Sequence, residues 1–170
     1  MEANINRSYV RADESQAKFS WLLLLLASLV ALLASIWPLA VWAVWIRPEF
    51  VALLVVYWVL FAPFRVGMVY AWCMGLVLDL LSGNVLCQEA LALTIVAYLV
   101  YLFHQRLRMY ALLQQSLSVF ALVCLYQFIE YWIHGVTGGG YASAALFLPA
   151  LSSAVCWPFT RLLLDRLRGW

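Results

Sequence analysis

Six apolar runs follow one another along this chain, and no polar stretch longer than the eighteen N-terminal residues separates or flanks them. A run of about twenty apolar residues is long enough to cross the ~30 Å hydrocarbon core of a bilayer as a helix. Inside lipid, only helices and closed barrels satisfy their own backbone hydrogen bonds. Composition agrees with the pattern. Of 170 residues, 67% are hydrophobic and 11% charged, whereas soluble domains are about half apolar and a quarter charged. The chain therefore reads as an all-α polytopic membrane protein surrounded by membrane lipid, with no soluble domain. Its net charge of +2 gives no reason to expect a nucleic-acid partner.

Taken in order, residues 1–18 form a polar tail of mixed charge without an apolar face, expected to be disordered or to lie at the membrane surface. The membrane domain covers 19–164, with spans expected at about 19–37, 48–62, 66–83, 85–103, 111–134 and 141–164. The first span is too long for a signal-peptide core and lacks a cleavage site, so it reads as an uncleaved anchor. Residues 39–46 are too short to cross, and Trp42 and Trp45 suit the headgroup boundary, which makes this an interfacial or re-entrant segment. Pro48 is expected in the first turn of the second span, where its missing N–H is not needed, and Pro63 closes that span. Ser82-Gly83-Asn84 reads as a turn with glycine as helix cap. His104 to Arg108 reads as a basic loop, Gly138-Gly139-Gly140 as a loop tip, and Pro149 and Pro158 as kinks in the sixth span. Residues 165–170 are a basic tail.

The basic residues test this count. With six spans, Arg7, Arg11, Lys18, Arg65, Arg106, Arg108, Arg161, Arg166 and Arg168 fall on one side and only Arg47 on the other. Positive charge in short loops and at helix ends marks the cytoplasmic face, so both termini are expected inside. One span more or fewer would destroy the segregation.

Within the third span, small and polar residues recur every fourth position at Gly67, Ala71, Gly75, Asp79 and Gly83. On a helix they form one slowly drifting stripe, and small residues at this spacing are where membrane helices approach closely. The stripe is expected to pack another helix, either of this chain or of a partner. Asp79 lies in it. A carboxylate in a membrane helix is costly unless it faces protein, water or a counter-charge, so a functional Asp79 and a protonated or capped structural Asp79 near the helix end both stand open.

The six-span topology gathers Arg47, Asp79, Ser82, Glu89 and Glu130 toward the outer leaflet, together with Glu49 and His134. They could build a polar pocket with Arg47 as counter-ion to Asp79, Glu89 or Glu130. Glu49, Glu89 and His134 lie near predicted helix ends and are read as wet at the interface, while Glu130 lies deeper. No enzyme is expected: GxSxG and HExxH are absent, and His104 and His134 fall on opposite sides. Cys73, Cys87, Cys124 and Cys156 are too scattered for a metal site or a disulfide framework, and no cofactor is indicated. Gln114-Gln115, at the start of the fifth span, reads either as a pair that hydrogen-bonds between helices or to a partner, or as a wet helix end.

An ordered set of short motifs carries a family resemblance: Arg47-Pro48, Tyr57-Trp58, Pro63-x-Arg65-x-Gly67, the block from Gly75-Leu76 through Leu78-Asp79-Leu80-Leu81-Ser82-Gly83, Ala97-Tyr98-Leu99, Gln114-Gln115, and Trp157-Pro158 with its basic tail. Together they resemble the MreD family of bacterial rod shape-determining membrane proteins over most of the chain. The block from Arg47 to Gly83 is the specific part. One departure is that family members often carry Leu-Gly after the Ser-Gly turn, whereas here Leu86 precedes Cys87. That leaves open whether the backbone makes the tight approach a glycine permits. The resemblance implies a non-enzymatic scaffold in the bacterial cytoplasmic membrane, supporting rod shape and lateral peptidoglycan synthesis. It would work with MreC, and through MreC with MreB, RodZ, RodA and a penicillin-binding transpeptidase. The family is also distantly similar to the six-helix substrate-binding subunits of energy-coupling-factor transporters, so a vitamin-binding subunit is the alternative. Fold analogy alone does not transfer function.

Overall fold

The computed structural model of the chain describes residues 21–36, 47–63, 66–83, 87–136 and 147–168. The polar tail, the interfacial segment 39–46, Arg65, Asn84 and the triglycine loop lie outside the described residues, as do residues 141–146 of the sixth expected span. Six α-helices, and no strand among the described residues, make up the fold: α1 Trp21–Ile36, α2 Phe50–Phe61, α3 Met68–Ser82, α4 Gln88–Met109, α5 Leu112–Val136 and α6 Phe147–Arg168.

The second helix is the hub. Phe50–Phe61 has no polar face, and every residue from Val51 to Leu60 is buried. A helix apolar on all sides must be enclosed on all sides, and α2 touches each of the other five helices. Its ends are set locally. The N–H of Leu53 bonds the carbonyl of Glu49 at the start, and the Ala62 N–H bonds the Trp58 carbonyl at the end, directly before Pro63. Pro48 stands two residues ahead of Phe50, outside the first turn in which the sequence reading put it.

The surrounding helices each bury one stripe. In α1 it is Leu24, Ser28 and Ala31; in α5 Gln115, Val119, Val123, Tyr126 and Gln127; in α6 Ala150, Ser153, Trp157 and Leu164. These are the i, i+3, i+4 spacings of helix faces. The opposite faces are apolar too, with Leu113 86% exposed and Val69 and Phe159 75%. A surface of this kind suits lipid and would be an aggregation liability in water. Two helices, α4 and Leu112–Ile133 of α5, are long and apolar enough to cross a membrane, while α1, α2 and α3 are shorter apolar helices.

The expected basic loop at 104–108 is helical. The fourth helix runs on through Arg106 and Arg108 to Met109, and only Tyr110 and Ala111 join it to α5. Arginines in a last turn complement the negative end of the helix dipole and face its free carbonyls, so their charge extends this helix rather than ending it. The result is a tight antiparallel hairpin that carries basic residues at its closed end.

In α3 the small-residue stripe is buried in its middle and open at both ends. Ala71, Gly75 and Asp79 are buried, together with Met74 and Leu78, whereas Gly67 is half-exposed and Gly83 exposed. A four-residue step overshoots a turn by about 40°, so over two steps the stripe rotates well away from the face centred on Gly75. Gly83 caps the helix as the sequence indicates: it adopts a left-handed φ of 68°, and its N–H bonds the Asp79 carbonyl.

Candidate functional site

A tightly built contact joins α3 to the start of α4. A Cβ at Gly75 would fall 2.3 Å from the Ala90 Cα, 2.6 Å from the Ala90 nitrogen and 2.8 Å from the Glu89 carbonyl carbon. Glycine alone therefore lets the two backbones meet here. One turn further on, the carboxylate of Asp79, only 1% exposed, accepts hydrogen bonds from the N–H groups of Glu89 at 2.9 Å and Ala90 at 3.3 Å. The first N–H groups of a helix have no partner within it and carry the positive end of its dipole. The residue at the N-cap of α4 is Cys87, whose side chain makes no capping bond. Asp79 supplies the cap from the preceding helix instead. This geometry gives Asp79 a structural role as the cap of α4.

Cys87 also answers the point left open by the missing glycine. It holds φ at 75° and ψ at 4°, the left-handed region that costs an L-residue with a side chain roughly 1–2 kcal/mol. Cys87→Gly is therefore expected to stabilise the protein by about 1 kcal/mol, which for a chain of this size raises Tm by about 2–4 °C. An unchanged or lower Tm in a detergent melting experiment would refute that backbone geometry.

Around this junction lies a cluster of buried polar groups. Glu89 is 7% exposed, which corrects its reading as a wet interfacial residue, and it accepts a hydrogen bond from the Tyr126 hydroxyl. Glu130, on the next turn of α5, is within hydrogen-bonding reach of both Glu89 and Tyr126. Glu49, at the start of α2, is close enough to act electrostatically on Glu130, and Glu89 and Arg47 act on Glu49 in turn. The Glu49 N–H is held by the Ser153 hydroxyl at 2.9 Å, and that hydroxyl donates to the Pro149 carbonyl. Arg47 itself donates to the Ser35 carbonyl of α1. Among the described residues it forms no ion pair with Asp79, Glu89 or Glu130.

Of the residues the sequence grouped here, Glu89 and Glu130 meet directly and Arg47 approaches through Glu49. Asp79 joins through the backbone of Glu89. Ser82 is exposed at the end of α3 and takes no part. Sequence reasoning missed Tyr126, Gln127, Gln88 and Ser153. Gln88 is 1% exposed, and both its amide atoms, like the Gln127 Oε1, lack a hydrogen-bond partner among the described residues. The signal was available in α5, where Tyr126 and Gln127 continue the core-facing series Gln115, Val119, Val123. The Tyr126–Glu89 bond ties α5 to α4, and the Glu49–Ser153 bond ties the start of α2 to α6. No group of three His, Cys, Asp or Glu among the described residues is placed to hold a metal ion.

A second network closes the opposite end of the bundle. Gln115 is 1% exposed; its Nε2 donates to the Leu107 carbonyl at 2.8 Å, and its Oε1 accepts from Arg161 at 2.5 Å and Trp157 at 3.5 Å. It is thus an interhelix residue, while its neighbour Gln114 is exposed. Arg161 pairs with Asp165 at 3.6 Å, and Asp165 accepts from the Tyr57 hydroxyl at 2.7 Å. Four helices meet in these bonds.

The whole arrangement can be compared with known proteins. Residues 15–167 match the family model for the rod shape-determining protein MreD. The chain is similar to the rod shape-determining protein MreD of Haemophilus influenzae, with 26% identity over 148 residues that cover 87% of this chain and 91% of that protein. No solved structure matches the chain. A match that takes in all six helices, the α3–α4 junction and both polar networks leaves one conclusion: the chain belongs to the MreD family of rod shape-determining membrane proteins.

Proposed function

We propose that this chain is a non-enzymatic, multi-pass scaffold of the bacterial cytoplasmic membrane that binds MreC and supports lateral peptidoglycan synthesis by the elongation machinery. Family membership supplies the role in rod shape. The observation that carries the scaffold reading is that buried polar groups are spent on joining helices: Asp79 on α4, Glu89 on Tyr126, Gln115 on Leu107, Trp157 and Arg161. Such groups set the shape of a helical surface. Gln88, Glu89 and Tyr126, toward the Arg47 end, are buried and so are not presented to a vitamin-sized ligand.

Both termini are cytoplasmic in this reading, together with the α4–α5 hairpin. Its support is the segregation of basic residues, with Arg106, Arg108, Arg161 and Arg166 at one end of the bundle and Arg47 at the other. Through MreC the scaffold would reach MreB, RodZ, RodA and a penicillin-binding transpeptidase. Within the α3 stripe, Gly67 and Gly83 have open space around them and are the positions a partner helix can approach.

The test is replacement of the resident MreD of a rod-shaped bacterium by a tagged copy of this chain. Rod shape and recovery of MreC from detergent-solubilised membranes are the expected result. Round cells at normal membrane levels of the chain, with no MreC recovered, would overturn the proposal. Reporter fusions are expected to place the α4–α5 hairpin inside and the 138–140 loop outside.

A further inference from the structure

At the hairpin end, two arginines from different helices converge on one aromatic ring. The guanidinium carbons of Arg108 in α4 and Arg161 in α6 lie 5.7 Å and 5.4 Å from the centre of the Phe61 ring. They are therefore no further apart than those two distances together. A ring face attracts each cation, but it does nothing for the repulsion between them. The one carboxylate at this end among the described residues, Asp165, is already engaged by Arg161 and by the Tyr57 hydroxyl. Arg108 is exposed and forms no ion pair among the described residues. The acidic side chains Glu49, Glu89 and Glu130 and Asp79 all sit toward the other end.

Unused guanidinium donors beside an occupied carboxylate fit an anion with several oxygen acceptors, and phosphate is the anion that arginine forks match best. The flanking surface selects the source. Met109, next to Arg108, is 79% exposed, and Leu162 and Leu163, next to Arg161, are 58% and 62% exposed. A phosphate with apolar chains attached would cover both features at once.

We propose that Arg108 and Arg161, gathered on Phe61, bind the phosphate of an anionic phospholipid headgroup, with its acyl chains lying along α4 and α6. This rests on the membrane reading above, in which this end lies at the cytoplasmic leaflet. Basic pockets between helices at that level hold anionic lipid, each Lys or Arg contributing about a fivefold gain in affinity.

The test is native mass spectrometry of the purified full chain, titrated with phosphatidylglycerol and with phosphatidylcholine. The expected result is a preference for phosphatidylglycerol that falls by about fivefold in Arg108→Gln. Arg166→Gln, which removes an exposed charge of the same end away from Phe61, should leave it intact. Arg108 is the principal variant because Arg161→Gln also cuts the Gln115 network and can fail to fold. Equal binding of the two lipids, or an equal loss in both variants, overturns the site in favour of diffuse electrostatics. Competition by millimolar inorganic phosphate as effective as phosphatidylglycerol itself overturns the lipid source. Flotation with phosphatidylcholine liposomes separates the two levels: a chain that fails to float refutes the membrane reading itself, whereas one that floats without lipid preference refutes only this site.

Discussion

Gly75→Ala is expected to abolish accumulation of the folded protein, although it adds a single methyl group. That methyl would stand 2.3 Å from the Ala90 Cα and 2.6 Å from its nitrogen, and these are backbone atoms of a helix, which cannot rotate aside as a side-chain tip does. Relief requires α4 to move away from α3. Forced overpacking costs about 1–3 kcal/mol and occasionally more, and here the movement also draws the Glu89 and Ala90 N–H groups off the Asp79 carboxylate. A loss of about 4 kcal/mol is a large share of the 5–15 kcal/mol that holds an ordinary domain together. Gly67→Ala, in the same helix and the same stripe, has nothing within 4 Å of the new atom and should stay within about 1 kcal/mol of the parent. The measurement is the monodisperse fraction of fluorescent fusions on size-exclusion chromatography after membrane extraction. A Gly75→Ala peak equal to that of Gly67→Ala would disprove the close approach.

Asp79 gives the second large effect, and its signature is a graded series. Asp79→Ala strands two buried N–H groups, and each unsatisfied donor costs about 1–3 kcal/mol. Asp79→Asn keeps one acceptor oxygen, and asparagine caps helices about as well as aspartate, so it should lose only about 1 kcal/mol. The melting temperatures are expected to fall in the order parent, Asn, Ala, with cell shape following the amount of folded protein. An Asn variant as damaged as the Ala variant would mean that α4 uses the negative charge of Asp79 rather than its oxygens.

The helices were legible because a lipid-facing chain writes its spans as apolar runs, and the interior of the α3 stripe was legible because close backbone approach demands small residues at a fixed spacing. What was hidden depends on neighbours. Glu89 looked wet because it lies near the start of its own helix, but α5 continues ten residues past Tyr126, about 15 Å, and covers that start. Depth in a bundle is set by the longest adjacent helix, which position along one helix does not reveal. The capping role of Asp79 was hidden for a similar reason, since nothing in one residue's spacing shows which N–H groups the next helix will bring to it. At 104–108 the error ran the other way: a cluster of charge suggested a loop, whereas arginines at a helix end prolong the helix.

The enclosure of α2 also has a bearing on how the molecule is made. Twelve residues of helix span about 18 Å, well short of the ~30 Å of a bilayer's hydrocarbon, so this segment is poorly matched to lipid on its own. Yet it leaves the ribosome before four of the five helices that wall it in. From its synthesis until α6 arrives, the hub of the protein stands with at least one side unshielded, dependent on the insertion machinery or on bilayer thinning to hold it. Quality control in the membrane thus has a long window in which to recognise an unfinished chain, and that window closes only when Trp157 and Ser153 reach their places.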